Sequence, residues 1–598
     1  MAEIQNRYYI DKVHTIRNNL QGHNRDPLEI IRRKLEGNQA TFSTQAISPD
    51  QVDKIIGQLK NSKSSGLDNL DTYILKLTKK AIVPSVCHIL NLSLLMNRFP
   101  TKWKIAKVVP LYKGKGCKLD PKNYRPVAIL PILSKVLERA MFQQLVNFMD
   151  SNNFFNPNHH AYRSFHSTTT AMLQMYTTWL EAIEQGDMAA VCMIDMSAAF
   201  DVVDTTLLLE KMRMYGFDRN AVQWTWSYLT YRSQSVYIEG SLSSPLPLEA
   251  GVPQGSILGP LLYTIFTNEL PEVVHEASCP LREVEGIAIF STQCQQCGGV
   301  CCYADDSTYS VQGSDPVELT SKLTQKYGVL ADFLTANKLK VNDEKTHLLV
   351  MSTRQKRWHM DNTNITINTP SAVIIPSSVE RLLGAHVHQD MKWKEHILDN
   401  DDSLIKSLNR RAGALKKISR TASFKTRKMV ANGIYMSKLI YLMPLWMGCE
   451  DYLVDALQVN LNKVARLVTK LDIYTPTKVL MQQCGWMPVR QLIIYHSLVL
   501  LYKVLKHQSP SYLFRKVTSG SQQYHTRQEA ASTAALAAVG VTLQPSVDIC
   551  ELELSRSSWC WASIQWYRQL PTSLQAESKL NKFKTTLKSW VNQNIDLD

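Results

Sequence analysis

The sequence predicts an α+β protein, and three features carry that prediction. The run from Ala189 to Ile194 is continuously apolar, which is typical of a strand buried on both faces. Between Val300 and Val311, short β-favouring runs flank an Ala-Asp-Asp centre, with glycines outside them, which indicates a β-hairpin. One apolar helix face follows Ser48 and consists of Val52, Ile55, Ile56 and Leu59.

Caps and apolar patterns place the remaining elements in chain order. Ser48 can cap a helix that has Pro49 in its first position and Gln51 where a capping box requires it. Asp204 or Thr205 can cap a later helix, which Gly216 ends. The other predicted strands are Val108–Tyr112 and His347–Met351, and the other predicted helices are Ile132–Val146, Leu261–Phe266 and Leu492–Leu505.

Length and composition indicate a globular protein with a polyanionic partner. The 598 residues are enough for three or four domains, and 44% hydrophobic with 20% charged residues is a globular composition. A formal net charge of +15 favours a nucleic-acid partner. The N-terminus lacks the apolar core of a signal peptide, and Leu492–Leu505 is shorter than a membrane-spanning helix. We therefore expect an intracellular protein without a membrane segment, whose twelve scattered cysteines are reduced thiols.

Three acids are candidates for a metal centre. Asp305 and Asp306 stand side by side at the hairpin tip, where two carboxylates repel each other unless a cation lies between them. An isolated pair could be ordinary turn residues, but Asp195 ends the buried strand, where an acid is costly unless it is paired or metal-bound. Together the three would offer Mg²⁺ hard oxygen ligands. Two such ions are the clamp that phosphoryl-transfer enzymes use.

The residues around these acids resemble the motifs of reverse transcriptases. Tyr303–Asp306 is similar to the catalytic motif, and Ile194–Asp201 is similar to the companion first-aspartate motif. The other matches, all in the family's order, are Asn123–Val127, Gly251–Pro260 and Asn342–Thr346. From about residue 50 onward, the sequence of these motifs and their flanks resembles the reverse transcriptases of non-LTR (LINE-type) retrotransposons, and those of the jockey-like kind in particular.

The resemblance implies a right-hand polymerase with fingers, palm and thumb, whose antiparallel palm sheet packs on helices. The domain boundaries that we expect are a basic helical or linker segment at 1–47, fingers and the start of the palm at 48–185, the palm at 186–395, the thumb at 396–445 and a helical C-terminal region at 446–598.

The resemblance also assigns catalytic and nucleotide-binding roles. Asp195, Asp305 and Asp306 would hold two Mg²⁺ ions, with Mn²⁺ as a substitute, and Lys345 would protonate the leaving pyrophosphate. The cation-dense segment 101–125, otherwise interpretable as solvated lysines, would supply Lys113 and Arg125 to hold phosphate oxygens.

Three further residues would contact the nucleotide. Phe200 would exclude a 2′-hydroxyl, although on residue pattern alone a core phenylalanine is the simpler interpretation. Gln254 and Gly255 would contact the nucleotide and its sugar, since glycines in that loop permit close backbone approach.

A basic helical region after the palm is expected to contact nucleic acid. Cations on one side of an amphipathic helix suit the phosphates of a duplex, although a solvated helix face gives the same pattern. The predicted nucleic-acid-binding residues are Tyr303, Lys406, Arg410, Arg411 and Lys417.

The activity implied is RNA-directed DNA synthesis from dNTPs, with an RNA template and a DNA primer. We expect that residues 1–47 are too few for an endonuclease, so that either the chain is truncated or an endonuclease or an element-encoded RNA-binding protein is supplied separately. The alternatives are an RNA-dependent RNA polymerase and a decayed or domesticated nucleic-acid-binding derivative.

Residues 277–299 are interpreted as an insertion. Cys294 and Cys297 form half of a zinc site, which Cys279 or His275 would have to complete.

Overall fold

The computed structural model describes residues 1–20, 25–114, 116–276, 283–284, 287–288, 299–353, 355–357, 365–369, 371–518 and 558–595. Cys279, Cys294 and Cys297, on which the predicted zinc alternative depends, lie outside these residues.

The strands fall into two main sheets and several two-stranded ribbons. Their bounds are β1 Ile105–Tyr112, β2 Tyr124–Ile129, β3 Met188–Ile194, β4 Arg232–Ile238, β5 Ser241–Leu242, β6 Leu246–Leu248, β7 Glu283–Val284, β8 Ile287–Ala288, β9 Val300–Tyr303, β10 Asp306–Gly313, β11 His347–Met351, β12 Ile367–Asn368, β13 Val373–Ile374, β14 Pro376–Ser377, β15 Val379–Leu382 and β16 Ala385–His388.

Helices surround both main sheets. Those in the first part of the chain are α1 Ala2–Asn18, α2 Glu29–Lys34, α3 Pro49–Gln58, α4 Thr72–Leu77, α5 Lys79–Leu95, α6 Ile132–Ser151, α7 Thr168–Glu184, α8 Thr205–Met214, α9 Arg219–Leu229, α10 Leu258–Phe266, α11 Leu270–Glu276 and α12 Pro316–Ala336. The later helices are Leu404–Ser419, Phe424–Ala431, Ser437–Ile440, Asp451–Thr469, Thr477–Cys484, Val489–His507, Ser511–Thr518, Trp559–Arg568, Thr572–Gln575 and Leu580–Asn594.

Strand β3 lies in the middle of the first sheet, whose order is β14-β11-β3-β10-β9. Both neighbours of β3 pair with it in antiparallel fashion, and only the outer β11–β14 pair is parallel. Every residue of β3 is buried. Ala190, Cys192 and Ile194 belong to one hydrophobic core, while Val191 and Met193 belong to the other. The uninterrupted apolar run in the sequence therefore reflects a strand covered on both faces.

The second sheet has the order β2-β1-β4, with the short β5 and β6 paired to β4. β1 runs antiparallel to β2 and parallel to β4. Helix α1 packs on this sheet, where Tyr9 joins a small core with Val108 and Val236. The N-terminal segment expected to be helical or a linker is therefore, over α1, an integral part of this layer.

The helices after residue 403 pack on the same core as α7 and one face of β3. In the described part of the chain, no helix is long and apolar enough to cross a membrane.

Several local predictions agree with the structure, including the mixed α/β architecture. Ser48 caps α3, and Gln51 completes the capping box. Asp204, rather than Thr205, caps α8, because its carboxylate accepts a hydrogen bond from the Leu207 amide. The strand His347–Met351 has the predicted bounds. The helix expected over Leu492–Leu505 is longer and spans Val489–His507.

A buried ion pair ties α8 to the chain that follows α10. The ammonium of Lys211 lies 2.7 Å from the Glu269 carboxylate and donates to the Phe266 carbonyl at 2.6 Å, while Tyr215 donates to the other carboxylate oxygen at 2.7 Å. Both charged side chains are fully buried. Each charge depends on its partner, since removing one partner leaves the other uncompensated in a low-dielectric core.

We expect Lys211→Met to destabilise the protein by about 3–5 kcal/mol, because it leaves Glu269 charged and unpaired. Urea unfolding measures the loss. The matched control is Lys322→Met, which removes the exposed pair with Glu318 on α12 and should cost less than about 1 kcal/mol. Equal losses in the two variants would contradict the role given to the buried pair.

Candidate active site

The pairing of β3 with β10 brings the three predicted acids together. Ser307 of β10 is opposite Ile194 of β3, so Asp306 lies beside Asp195 at the end of the two strands. β9 and β10 form a hairpin in which Tyr303 pairs with Asp306, and Ala304 and Asp305 form its two-residue turn. Ala304 has a φ of 58°, a left-handed conformation that favours a small side chain.

The three acids act on one another electrostatically. The pKa of Asp306 is raised to about 6, chiefly because its surroundings desolvate it, and also because Asp305 and Asp195 repel its charge. Burial raises the pKa of the Tyr263 phenol well above its usual value, and Asp305 and Asp306 add to the shift. A divalent cation would relieve this concentration of negative charge.

Lys345 reaches the same acids from a neighbouring segment. The Asn342 amide donates to the Asp195 carbonyl at 2.9 Å, and the Ser197 amide donates to the Lys340 carbonyl at 2.9 Å. These bonds hold the turn Asp343–Lys345 against the end of β3. The Lys345 ammonium consequently lies 3.6 Å from the Asp195 carboxylate.

The donor set fits magnesium in its chemistry, since it consists of carboxylate oxygens. Mg²⁺ usually takes one or two carboxylates and completes its shell with water and substrate phosphates. Within the described residues, no group of three or more His, Cys, Asp or Glu side chains is arranged to hold a metal by itself. The residues therefore suit ions that arrive with a phosphate ligand better than a closed structural metal site.

A cavity of about 610 Å³ adjoins the hairpin tip. Six of the predicted site residues line it, namely Lys113, Arg125, Phe200, Gln254, Gly255 and Asp305. The nucleotide-binding residues predicted from separate motifs are thus brought together around one space. A volume of this size is in the range of small-molecule sites.

Lys113 and Arg125 stand on the β1–β2 hairpin. Arg125 is exposed and pairs across the hairpin with Leu111. The Lys113 ammonium donates to the Lys122 carbonyl at 2.6 Å. Burial lowers the pKa of Lys113, and the positive charges of Lys12, Lys345 and Arg125 lower it further.

Phe200 packs against a hydrophobic core and also lines the cavity. Its ring packs on the buried Tyr263 ring, with centroids 4.6 Å apart, and contacts the hydrophobic core that contains Ala190, Cys192 and Ile194. The same side chain is only partly buried and lines the cavity. A residue anchored in this way is held rigidly at the cavity wall.

The glycine loop, Gly251–Gly255, packs against the loop that begins at Asp195 and connects β3 to α8. Gly251 has a φ of 87°, and a Cβ there would lie 2.5 Å from the Asp201 carbonyl oxygen. Gly255 has a φ of 82°, and a Cβ there would lie 2.5 Å from the Ala128 carbonyl oxygen on β2. Only glycine fits either position, because both the conformation and the close backbone approach exclude a side chain.

The structure adds Asp201 and Tyr162 to the site residues. The Gln254 amide donates to the Asp201 carboxylate at 2.6 Å, which fixes the side chain that faces the cavity. Burial raises the pKa of Asp201 to about 6. Asp201 ends the recognised Ile194–Asp201 motif, so its position was a usable signal. Tyr162 also lines the cavity.

The predicted nucleic-acid contacts lie outside the cavity. Lys406 and Arg410 form ion pairs with Asp401 and Asp402. Arg411 donates to the Ile434 carbonyl at 2.8 Å and so joins two helices.

Lys417 is exposed on the same helix as these three cations. Tyr303 is half-buried at the start of the hairpin turn and packs on the hydrophobic core that contains Val191 and Met193.

The family follows from comparison with known proteins. Residues 113–382 match the family described as "Reverse transcriptase (RNA-dependent DNA polymerase)". The matched part of the chain contains Asp195, Asp305, Asp306 and Lys345.

Several curated proteins similar to this chain come from mobile elements. The RNA-directed DNA polymerase from mobile element jockey of Drosophila melanogaster is 27% identical over 347 residues, which are 57% of this chain and 36% of that protein. The probable RNA-directed DNA polymerase from transposon BS of the same organism is 25% identical over 484 residues, 77% of this chain and 49% of that protein. The corresponding X-element protein is 21% identical over 80% of this chain and 48% of its own length. The predicted resemblance to jockey-like non-LTR retrotransposons is confirmed. The chain spans about half the length of these relatives or less.

We expect Asp306→Asn to raise the melting temperature of the metal-free protein above pH 6. The native pKa of Asp306 is about 6, above the ordinary value of 3.8. The native state therefore binds more protons than the unfolded state between these pH values, and wild type loses stability as pH rises from about 4 to 6. The variant lacks that loss, so its advantage over wild type should grow across this window and then level off.

Thermal melts in EDTA at several pH values measure this difference. Asp455→Asn, at an exposed position on the helix Asp451–Thr469, is the control and should show no such trend. Addition of Mg²⁺ should shrink the advantage, because a cation offsets the same repulsion. A pH-independent difference would contradict the coupling of the three acids.

Proposed function

We propose that this chain is an RNA-directed DNA polymerase that copies RNA into complementary DNA by two-metal nucleotidyl transfer. The observation that carries the proposal is the meeting of Asp195 with Asp305 and Asp306 beside a cavity lined by Arg125 and Gln254. Acids gathered beside a cationic cavity suit a substrate that combines metal ions with a triphosphate. The proposed substrates are an RNA template, a DNA primer and dNTPs.

The three aspartates would hold two Mg²⁺ ions, with Mn²⁺ as a substitute. Such ions activate the primer 3′-hydroxyl and stabilise the charge that develops on the α-phosphate during in-line attack. The protein contributes the fixed spacing of its carboxylates, which β3 and β10 set through their backbone register. The products would be extended DNA and pyrophosphate.

The cations of the site divide the remaining work. Arg125 would hold phosphate oxygens through its planar guanidinium, and Lys113 would join it after leaving the Lys122 carbonyl. Lys345, 3.6 Å from Asp195, would protonate the departing pyrophosphate as a general acid.

Selection of deoxynucleotides is proposed for the opposite wall. Phe200, held by the buried Tyr263 ring, would exclude a 2′-hydroxyl by steric contact. Gln254, oriented by Asp201, and the backbone at Gly255 would contact the nucleotide and its sugar.

The two sheets and later helices support a right-hand arrangement. The β1–β2 hairpin would belong to the fingers, the β3-centred sheet to the palm, and the helices from Leu404 onward to the thumb and a C-terminal region. Exposed cations on the helix Leu404–Ser419, Lys417 among them, would bind duplex phosphates. An endonuclease or an RNA-binding protein from the same element would act as a separate partner.

We expect Asp305→Asn to reduce DNA synthesis at least about 100-fold, because a neutral amide holds a metal ion more weakly than a carboxylate. Primer extension on poly(rA)–oligo(dT) with Mg²⁺ measures synthesis, and equilibrium binding to the same primer–template should stay unchanged. The exposed Asp455→Asn variant is the matched control and should keep full activity.

Two outcomes of that assay would contradict the proposal. Wild type that binds nucleic acid without extending the primer would indicate a decayed or domesticated derivative. Preferential use of rNTPs on the same template would indicate an RNA polymerase.

We expect Phe200→Val to raise rNTP incorporation relative to dNTP incorporation by on the order of 10-fold or more, because a smaller side chain leaves room for the 2′-hydroxyl. Competing single-nucleotide extension with dNTP and rNTP measures the ratio. Tyr263→Phe, which keeps the supporting ring, should leave the ratio unchanged. An unaltered ratio in Phe200→Val would return Phe200 to a purely structural role.

A further inference from the structure

The N-terminal helix α1 is fixed to the second sheet by a buried amide. The Asn6 side chain is fully buried, and its nitrogen donates to the carbonyls of Gln234 at 3.2 Å and Ser244 at 3.0 Å. The Gln234 amide returns a hydrogen bond to the Asn6 oxygen at 3.0 Å. Because a buried amide loses its hydrogen bonds if the helix departs, these contacts hold α1 in one position on β4.

The other end of α1 reaches the loop that carries Phe200. Arg17 lies 3.4 Å from Asp204, the cap of α8, and His14 lies 3.5 Å from Glu249 just ahead of the glycine loop. Asp204 also accepts a hydrogen bond from Lys338 at 2.7 Å. Helix α1 therefore spans the space between the β1–β2–β4 sheet and the two loops that carry Phe200 and Gln254.

One side of α1 forms a wall of the nucleotide cavity. Tyr8, Lys12 and Val13 line the same cavity as Arg125 and Gln254. Lys12 is exposed, and among the described residues its ammonium has no hydrogen-bond or ion-pair partner. A flexible cation that faces a cavity without a counter-charge is available to a ligand.

Four cations from α1, the β1–β2 hairpin and the turn Asp343–Lys345 lie close to one another, and three of them line this cavity. The charge of Lys12 reaches Lys113, whose pKa burial lowers most and Lys12, Lys345 and Arg125 lower further. Lys12 also acts on the Asp201 carboxyl that orients Gln254. Like charges gathered in a partly enclosed space attract a polyanion. Three of these cations stand in or beside recognised motifs, whereas Lys12 does not.

We propose that Lys12 of α1 binds the β- and γ-phosphates of the incoming nucleotide as a further substrate-binding residue. This inference rests on the proposed function, since it assumes that the cavity holds a dNTP. A lysine at the end of a flexible stem can follow the triphosphate as a point charge while Arg125 supplies the planar fork. The N-terminal helix then contributes directly to substrate affinity.

The test compares Lys12→Ala with wild type and with Arg7→Ala in steady-state primer extension. Arg7 is an exposed cation on the same helix, about 140° round the axis from Lys12, and does not line the cavity. We expect Lys12→Ala to raise KM for dNTP by on the order of 10-fold with kcat within about two-fold. Lys12→Arg should recover most of the affinity, and Arg7→Ala should match wild type.

Two further measurements locate the contact. Inorganic pyrophosphate should inhibit Lys12→Ala less strongly than wild type, because it fills the same phosphate positions. The affinity of the variant for primer–template should equal that of wild type.

Unchanged KM for dNTP, unchanged inhibition by pyrophosphate, or a loss confined to primer–template affinity would each overturn the assignment of Lys12. These results are distinct from failure of the proposed function, in which wild type itself makes no DNA.

Discussion

The antiparallel pairing of β3 with β10 is the constraint on which the site depends. It places Asp306 next to Asp195 and fixes Asp305 one residue away in the turn. Burial at this place raises the pKa of Asp306 to about 6, and the like charges of Asp305 and Asp195 that the pairing brings close add to the shift. The cost is tolerated because β3 is buried on both faces by two separate cores, whose apolar contacts far outweigh the repulsion among three carboxylates.

The cavity beside the acids carries an excess of positive charge. Burial lowers the pKa of Lys113 there, and repulsion by the positive charges of Lys12, Lys345 and Arg125 lowers it further. A nucleoside triphosphate with its metal ions carries both kinds of charge that the free protein lacks, cations for the aspartates and phosphates for the lysines. One substrate complex would therefore relieve both repulsions together, which is a physical reason for the two clusters to stand side by side.

Local patterns predicted the parts of the site that lie within single elements. The apolar run of β3, the hairpin at Asp305 and the cap at Ser48 all depend on neighbours in sequence, and each is found where expected. Helix α1 was expected only as a helical or linker segment, because its position depends on Asn6 contacting Gln234, 228 residues away. Asp201 was overlooked as a site residue because its partner Gln254 is 53 residues away. Motif recognition finds residues that touch substrate more readily than residues that orient them.

The present contact of Lys113 is compatible with the phosphate-binding role proposed for it. Its ammonium donates to the Lys122 carbonyl on the same hairpin, a position that by itself suggests a structural side chain. The ammonium donates here to a neutral acceptor, and a phosphate would add the attraction of opposite charges to the hydrogen bond. Repulsion from Lys12, Lys345 and Arg125 weakens the hold of Lys113 on its present place further. Under the proposed function, arrival of a phosphate would favour rotation of the lysine away from the backbone.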